Sequence, residues 1–499
     1  VSGLMSVLIT DLNSPTTYIA WTLDGNHYQF NYWYVDDVVF SQPPNHDVAP
    51  VSWDLPGQVV NENTLVTPKA TVINNGLNTE TFTVTCTIGD TYTNTQTVSG
   101  LAMGMTQQVS FAPLTPALWT ASLVTVTTNL SMDEVTENDI LQDVLICLPL
   151  DTEGLAENVF TDQFVQFNLA TPGTMYNLAN SPTVTNFMAG ADWANGKWLG
   201  CEYDNGTLAT DNFWEINAMT GASTILGEMG AAIMGIAYDD NNNILYGTDG
   251  YDLYTMNVNT GVATYVDSLW YNLEGTSYSL ANIGGLMIDI AYDNFTNTLY
   301  GIDLGNDCLW TINPTTRELT LIGFMGIDIN YAQDAAFDQD NGLLFLAGYA
   351  GGGALYWIDT TYGGAYKVGN FPGDAEVTAF AIPYGLISVP EVTIASNGTI
   401  SWAPVNGAIK YSIYKATDPY GTFSWYADAY GTSWTDPNFT TDARAFYKVT
   451  AVGGMRNVNR QEMRYSNPIQ HKGNMNSQKR YNTGLANQSL MPTKSKPNK

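Results

Sequence analysis

The phrase IAYDDNNNILYG at Ile236–Gly247 returns as IAYDNFTNTLYG at Ile290–Gly301 and, more loosely, as AAFDQDNGLLFL at Ala335–Leu346. No other feature restricts the fold as strongly. A second phrase recurs alongside it: FVQFNLATPG from Phe164, FWEINAMTG from Phe213, LYTMNVNTG from Leu253, LWTINPTTR from Leu309 and LYWIDTTYG from Leu355. Its polar residue falls at Asn168, Asn217, Asn257, Asn313 and Asp359, at intervals of 49, 40, 56 and 46 residues. Periods of this length point to propellers or solenoids, whose units cannot bury their apolar faces alone.

Within each unit apolar and polar residues alternate, the period-two signature of strands. Asn or Asp opens each turn and in most copies Gly closes it, supplying the positive φ of a tight hairpin. One unit therefore reads as four strands: Met234–Asp239, Ile244–Thr248, Leu253–Val258 and Val262–Val266. The first copy, at Phe164, lacks an inner strand before it, whereas EVTAFAIPY at Glu376–Tyr384 reads as an inner strand with nothing after it. Joined, they complete one blade from both ends and give a closed ring of five. Asp239, Asp293 and Asp338 recur after the first strand, as does Asp192 in ADWANGKWLG. Copies in every unit imply a turn-forming role, because one active site needs no copies.

Charge narrows the function classes. Charged residues are 13% of the chain, and 48 acids against 17 bases leave a net charge of −31. Such a balance opposes nucleic-acid binding, which needs Lys and Arg to neutralise phosphates. It suits extracellular solubility or cation binding. No apolar run approaches the ~20 residues of a membrane span, and the start at Val1 shows no secretory signal. The four cysteines contain no CxxC; Cys86 and Cys147 fall in one expected domain, where they either pair or stay as buried thiols. The only histidines are His27, His46 and His471. A Ser-His-Asp or Cys-His centre therefore has no place between Asp47 and Gln470.

Several stretches resemble known extracellular modules. Residues 155–385, with their YDxxxxxLYG and LYxIDxxTG phrases, resemble bacterial β-propellers, a fold that serves hydrolases, lyases and passive scaffolds alike. Residues 46–150, through ATVINNG and DEVTENDILQDV, resemble adhesion-type Ig-like sandwiches of the CARDB kind. GTISWAPVNGAIKYSIYKATDPYGTF and GTSWTDPNFTTDARAFYKVTAV resemble a fibronectin type III domain over 387–466, with Trp402, Tyr411 and Tyr447 in its core. TYIAWTLDGNHYQFNYWYVDDVVF resembles the end of a jelly-roll domain of the cleaved-adhesin and MAM-like type, covering residues 1–42. That resemblance implies structural calcium at Asp36 or Asp37; a solvated pair at a strand edge is the other reading. Residues 467–499 hold six bases and no acids, without alternation, and read as a disordered basic tail.

The fold class expected is thus all-β and multidomain. In a propeller the loops joining second to third strands, and one blade to the next, share a face. Here they carry Asp249, Tyr251, Asp252, Trp270, Tyr271, Asp303, Asp307, Asp328, Tyr331, Tyr349, Asp374 and Glu376. An acidic, aromatic face suits sugars, cationic peptides or Ca²⁺; the bland alternative is that these acids keep the surface soluble. The function expected is non-catalytic adhesion or substrate binding at a cell surface or outside the cell, on an extracellular glycan or protein. Such a chain could be the accessory end of a larger secreted hydrolase or peptidase, and it would require no cofactor beyond structural Ca²⁺. The alternatives are a metal-dependent propeller hydrolase or lactonase, and a rigid spacer.

Overall fold

Alternation does become strand along the chain. The computed structural model describes residues 43–184, 187–203, 211–384, most of 390–452, and 462–466. Asp36, Asp37, the expected jelly-roll strands and the basic tail lie outside the described residues. Within them the protein is all-β and multidomain, with nine sheets and three short 3-10 turns.

The first unit packs a three-stranded sheet (Val48–Leu55, Lys69–Asn74, Thr106–Ser110) against a larger one that includes Glu80–Ile88, Thr120–Asn129 and Ile140–Leu148. The Glu80–Ile88 strand shows why: Phe82, Val84, Cys86 and Ile88 turn inward while the threonines between them stay less buried. Cys86 and Cys147 lie on strands separated by Thr120–Asn129. All four cysteines are free and buried.

Five sheets follow, four of them four-stranded and antiparallel, and sheet 4 extended to six strands by a hairpin at its outer edge. Sheet 1 combines Glu153–Asn158, Gln163–Asn168 and Met175–Asn177 with Val377–Ala381 from the far end of the segment. Sheet 2 runs Phe187–Ala194, Lys197–Tyr203, Asn212–Ile216, Ser223–Glu228, and sheet 3 runs Gly235–Asp239, Ile244–Thr248, Asp252–Met256, Ala263–Ser268. Sheet 4 contains Met287–Asp293, Thr298–Asp303, Cys308–Ile312 and Glu318–Phe324, and sheet 5 contains Asp334–Asp338, Leu343–Tyr349, Gly353–Ile358 and Ala365–Asn370. The innermost strands adjoin in a cycle, from Val377–Ala381 through sheets 2, 3, 4 and 5 and back. Phe164 and Phe380 therefore share sheet 1. The Phe164 copy is not the first strand of that sheet, since Glu153–Asn158 precedes it and pairs with the returning strand.

Turn chemistry explains the repeat. Asn217, Asn257, Asn313 and Asp359 each accept backbone N–H groups two and three residues on. Asp293 and Asp338 do the same at the first hairpin, and Asp239 accepts the N–H three residues on. Asp192 does not. Sheet 2 has a two-residue Asn195–Gly196 turn, both residues left-handed, so Ala194 holds the equivalent position and Asp192 lies further back, inside the ring.

The third unit packs Val392–Ile394, Thr399–Trp402 and Ser433–Thr435 against Ser424–Ala429, Lys410–Ala416 and Phe446–Val452. Trp402 and Tyr411 fill its core with ring centroids 5.0 Å apart, whereas Tyr447 is half-buried and donates its hydroxyl to Asp436. Arg464–Tyr465 leave this unit and pair in parallel with Thr120–Ala121 of the first. The Tyr465 hydroxyl reaches Asp359 of sheet 5 at 2.8 Å. One apolar core continues from Val59, Ile146 and Leu148 of the first unit into Phe167, Phe345 and Trp357 of the ring.

Candidate functional site

Four residues before the turn aspartates of sheets 3, 4 and 5 stand Gly235, Asp289 and Asp334, on the innermost strands. Asp289 and Asp334 are fully buried and hydrogen-bonded to each other. Asp334 Oδ2 accepts the N–H of Ala191 at 2.8 Å and of Phe380 at 2.6 Å, from sheets 2 and 1. Asp289 Oδ2 accepts the N–H of Ala335 at 2.6 Å. Its Oδ1 is buried without a hydrogen-bond partner. Burial holds both carboxyls well above the usual range, because two adjacent carboxylates without cations cannot both be charged. Asp192, which accepts the N–H of Tyr238, is raised by burial to about 7. The packing leaves no room for a side chain at Gly235, where a Cβ would sit 2.2 Å from Asp289 Oδ1. At the turn end, Tyr384 accepts the Trp193 indole N–H on its carbonyl and the Asn294 amide on its hydroxyl. The axis is thus filled by side chains.

On the expected ligand-facing end, carboxylates mostly hold the loops. Asp303 is buried, accepting N–H groups of Leu286 and Gly305 on Oδ1 and the Trp310 indole on Oδ2. Asp249 does likewise, with Tyr251 and Asp252 N–H and the Tyr254 hydroxyl. Glu202, absent from the expected set, plays this part in sheet 2 with Trp214. Asp307 accepts the Ile329 N–H, Asp328 the Asn330 amide, and Glu376 the Ala332 N–H; burial raises Glu376. Asp374, left-handed at φ 54°, abuts Gly352.

The aromatics divide. Tyr331 is half exposed, held left-handed at φ 66°, and meets Tyr349 edge-to-face at 5.4 Å. The Gln333 side-chain Oε1 accepts the Tyr349 N–H, and Glu376 accepts the N–H of Ala332 next to Tyr331. Tyr251 is exposed on the sheet 3 loop. Trp270 and Tyr271 are elsewhere: their strand pairs with Glu318–Leu319 at the outer edge of sheet 4, and Trp270 donates to the Thr316 carbonyl. The loop between sheets 3 and 4 is long enough to form its own hairpin there, which removes both rings from the shared face.

The buried pair stands one residue before the repeat phrase that starts at Ile290, and its sequence signal is the alignment of DIAYD with DAAFD. Among the described residues, no three His, Cys, Asp or Glu side chains gather closely enough to hold a metal. The four thiols are not nucleophiles either, since burial pushes Cys86 to about 12, Cys147 to about 11, and Cys201 and Cys308 higher still.

Residues 48–141 match the CARDB family model. Among curated proteins no relative matches the chain. Of solved structures, a Bacteroides thetaiotaomicron structural genomics protein of unknown function is 12% identical with a TM-score of 0.30, over 73% of this chain and 97% of that one. The CARDB domain of a Pyrococcus furiosus protein, solved in complex with di-metal ions, is 18% identical with a TM-score of 0.19, over 22% and 99%. A nidogen/laminin complex gives 13% and 0.29, over 50% and 84%. None of these three likenesses carries an argument about function.

Proposed function

We propose that this chain is a non-catalytic extracellular module for adhesion or substrate holding, in which the ring of five sheets is a five-bladed β-propeller. The observation that carries the reading is the use made of its carboxylates: Asp249, Asp303 and Asp334 are committed to backbone N–H groups, tyrosine and indoles within the fold. A hydrolase needs carboxylates free to meet water or metal at the channel mouth. The CARDB match over 48–141 supports a cell-surface setting. The half-exposed Tyr331, set edge-to-face on the partly buried Tyr349, offers a surface for a glycan or peptide.

The test is retention of the full chain on glycan and peptide arrays, with ester and lactone turnover measured with and without EDTA. Retention without turnover is expected. Turnover abolished by EDTA would replace this reading with a metal-dependent hydrolase. The continuous core between the first unit and the ring favours rigid presentation, so a spacer role is the second reading, and it predicts no retention at all.

A further inference from the structure

Charge is distributed very unevenly. Residues 387–499 hold 13 of the 17 Lys and Arg but only 6 of the 48 Asp and Glu. The acidic body ends where the third unit begins. On one face of that unit, Tyr414 pairs across one strand boundary with Lys448 and across the other with Trp425. Directly paired residues point to the same side of a sheet, so Lys448, Tyr414 and Trp425 form one row, with strands ~4.8 Å apart.

Trp425 is 61% exposed yet fixed. Its indole N–H donates to Asp428 Oδ1 at 3.0 Å, and the same oxygen accepts the Ser412 hydroxyl at 2.7 Å. Lys410 bridges Asp428 to Glu153 of the ring, at 3.4 and 3.6 Å. Beside Trp425 opens a groove of about 330 Å³, lined also by Thr417, Ser424, Asp442 and Arg444. Lys415 in its wall is spent on Asp436 and Asp442. Arg444 and Lys448 are exposed and form no ion pair among the described residues.

We propose that this groove binds an acidic carbohydrate, a uronate-bearing oligosaccharide that stacks a sugar ring on Trp425 and places its carboxylate against Arg444. The inference rests on the substrate-holding reading and gives it a site. A fixed indole offers a flat apolar surface without loss of side-chain freedom on binding. The Ser424 and Thr417 hydroxyls suit sugar hydroxyls. A guanidinium suits a carboxylate, which it can grip with two parallel hydrogen bonds. An excess of acids elsewhere on the protein confines such a ligand to this end.

The experiment titrates the full chain with a galacturonate hexamer, its methyl ester and a glutamate hexapeptide, by calorimetry. The acid form is expected to bind at least tenfold more tightly than either control. Trp425→Ala should lose tenfold or more, Trp425→Phe should retain part of the binding, and Arg444→Gln should erase the preference over the ester. Equal binding of ester and acid overturns the proposal, as does a peptide that binds as well as the sugar. Unchanged affinity in both Trp425→Phe and Arg444→Gln overturns this site while leaving the general reading intact. If arrays show retention of other glycans or peptides but none of the uronate, only this inference fails; no retention of anything removes both.

Discussion

Asp334 accepts the backbone N–H of Phe380 at 2.6 Å, and this one hydrogen bond joins the closing strand to the innermost strand of sheet 5. The same oxygen holds Ala191 of sheet 2, so three neighbouring sheets meet on one carboxyl. Replacing Asp334 by Ala leaves two buried N–H groups without an acceptor. At 1–3 kcal/mol each, the expected loss is roughly 2–6 kcal/mol. Chemical denaturation of the variant checks it.

The buried carboxyls give the stability a definite pH dependence. Their folded pKa values are raised, so their contribution is fully present below the ordinary aspartate range of about 4 and falls as pH rises through the folded values, about 7 for Asp192. Asp428 and Asp436, held low by their hydrogen bonds and by Lys410 and Lys415, act in the opposite sense and matter only in acid. The melting temperature should therefore fall between pH 5 and about pH 8. Asp289→Asn keeps an acceptor for Ala335 and supplies a permanent donor to Asp334, so it should flatten that fall. An unchanged slope in this variant would show that the pair does not share a proton.

Gly261 lies at φ 73°, and a Cβ there would stand 2.1 Å from the Cβ of Phe213 on the neighbouring sheet. Gly261→Ala combines a left-handed penalty of about 1 kcal/mol with overpacking of 1–3 kcal/mol. A loss of roughly 2–4 kcal/mol is expected by denaturation.

All four thiols are buried and protonated at neutral pH. Maleimide should label none in the native protein and all four after denaturation without reductant. Prior labelling at neutral pH would contradict the burial.

The strand repeat was legible because its turns are written in side chains: Asn257 and Asp293 are needed to satisfy particular backbone N–H groups. Sheet 3 occupies almost the strands read from its sequence, at Gly235–Asp239, Ile244–Thr248, Asp252–Met256 and Ala263–Ser268. Glu153–Asn158 was not legible, since EGLAEN has no alternation; it is buried on both faces between two neighbours. Trp270 and Tyr271 were misplaced because only the parallel pairing with Glu318–Leu319 decides where their loop goes. The Asp289–Asp334 contact joins strands 45 residues apart: aligning DIAYD with DAAFD puts both carboxyls at one repeat position, but only the packing of neighbouring sheets brings them together. The return of Tyr465 to the first unit is equally non-local.

Whether both ends of the five-sheet segment complete sheet 1 can be measured by placing cysteines at Asn158 and Val377, paired across that sheet. Oxidation of the folded double variant should yield an intramolecular bridge, seen as a mass loss of about two hydrogens with one disulfide between tryptic peptides from the two ends. Two thiols that remain free under the same oxidant, in a protein that still melts cooperatively, would contradict the closed ring.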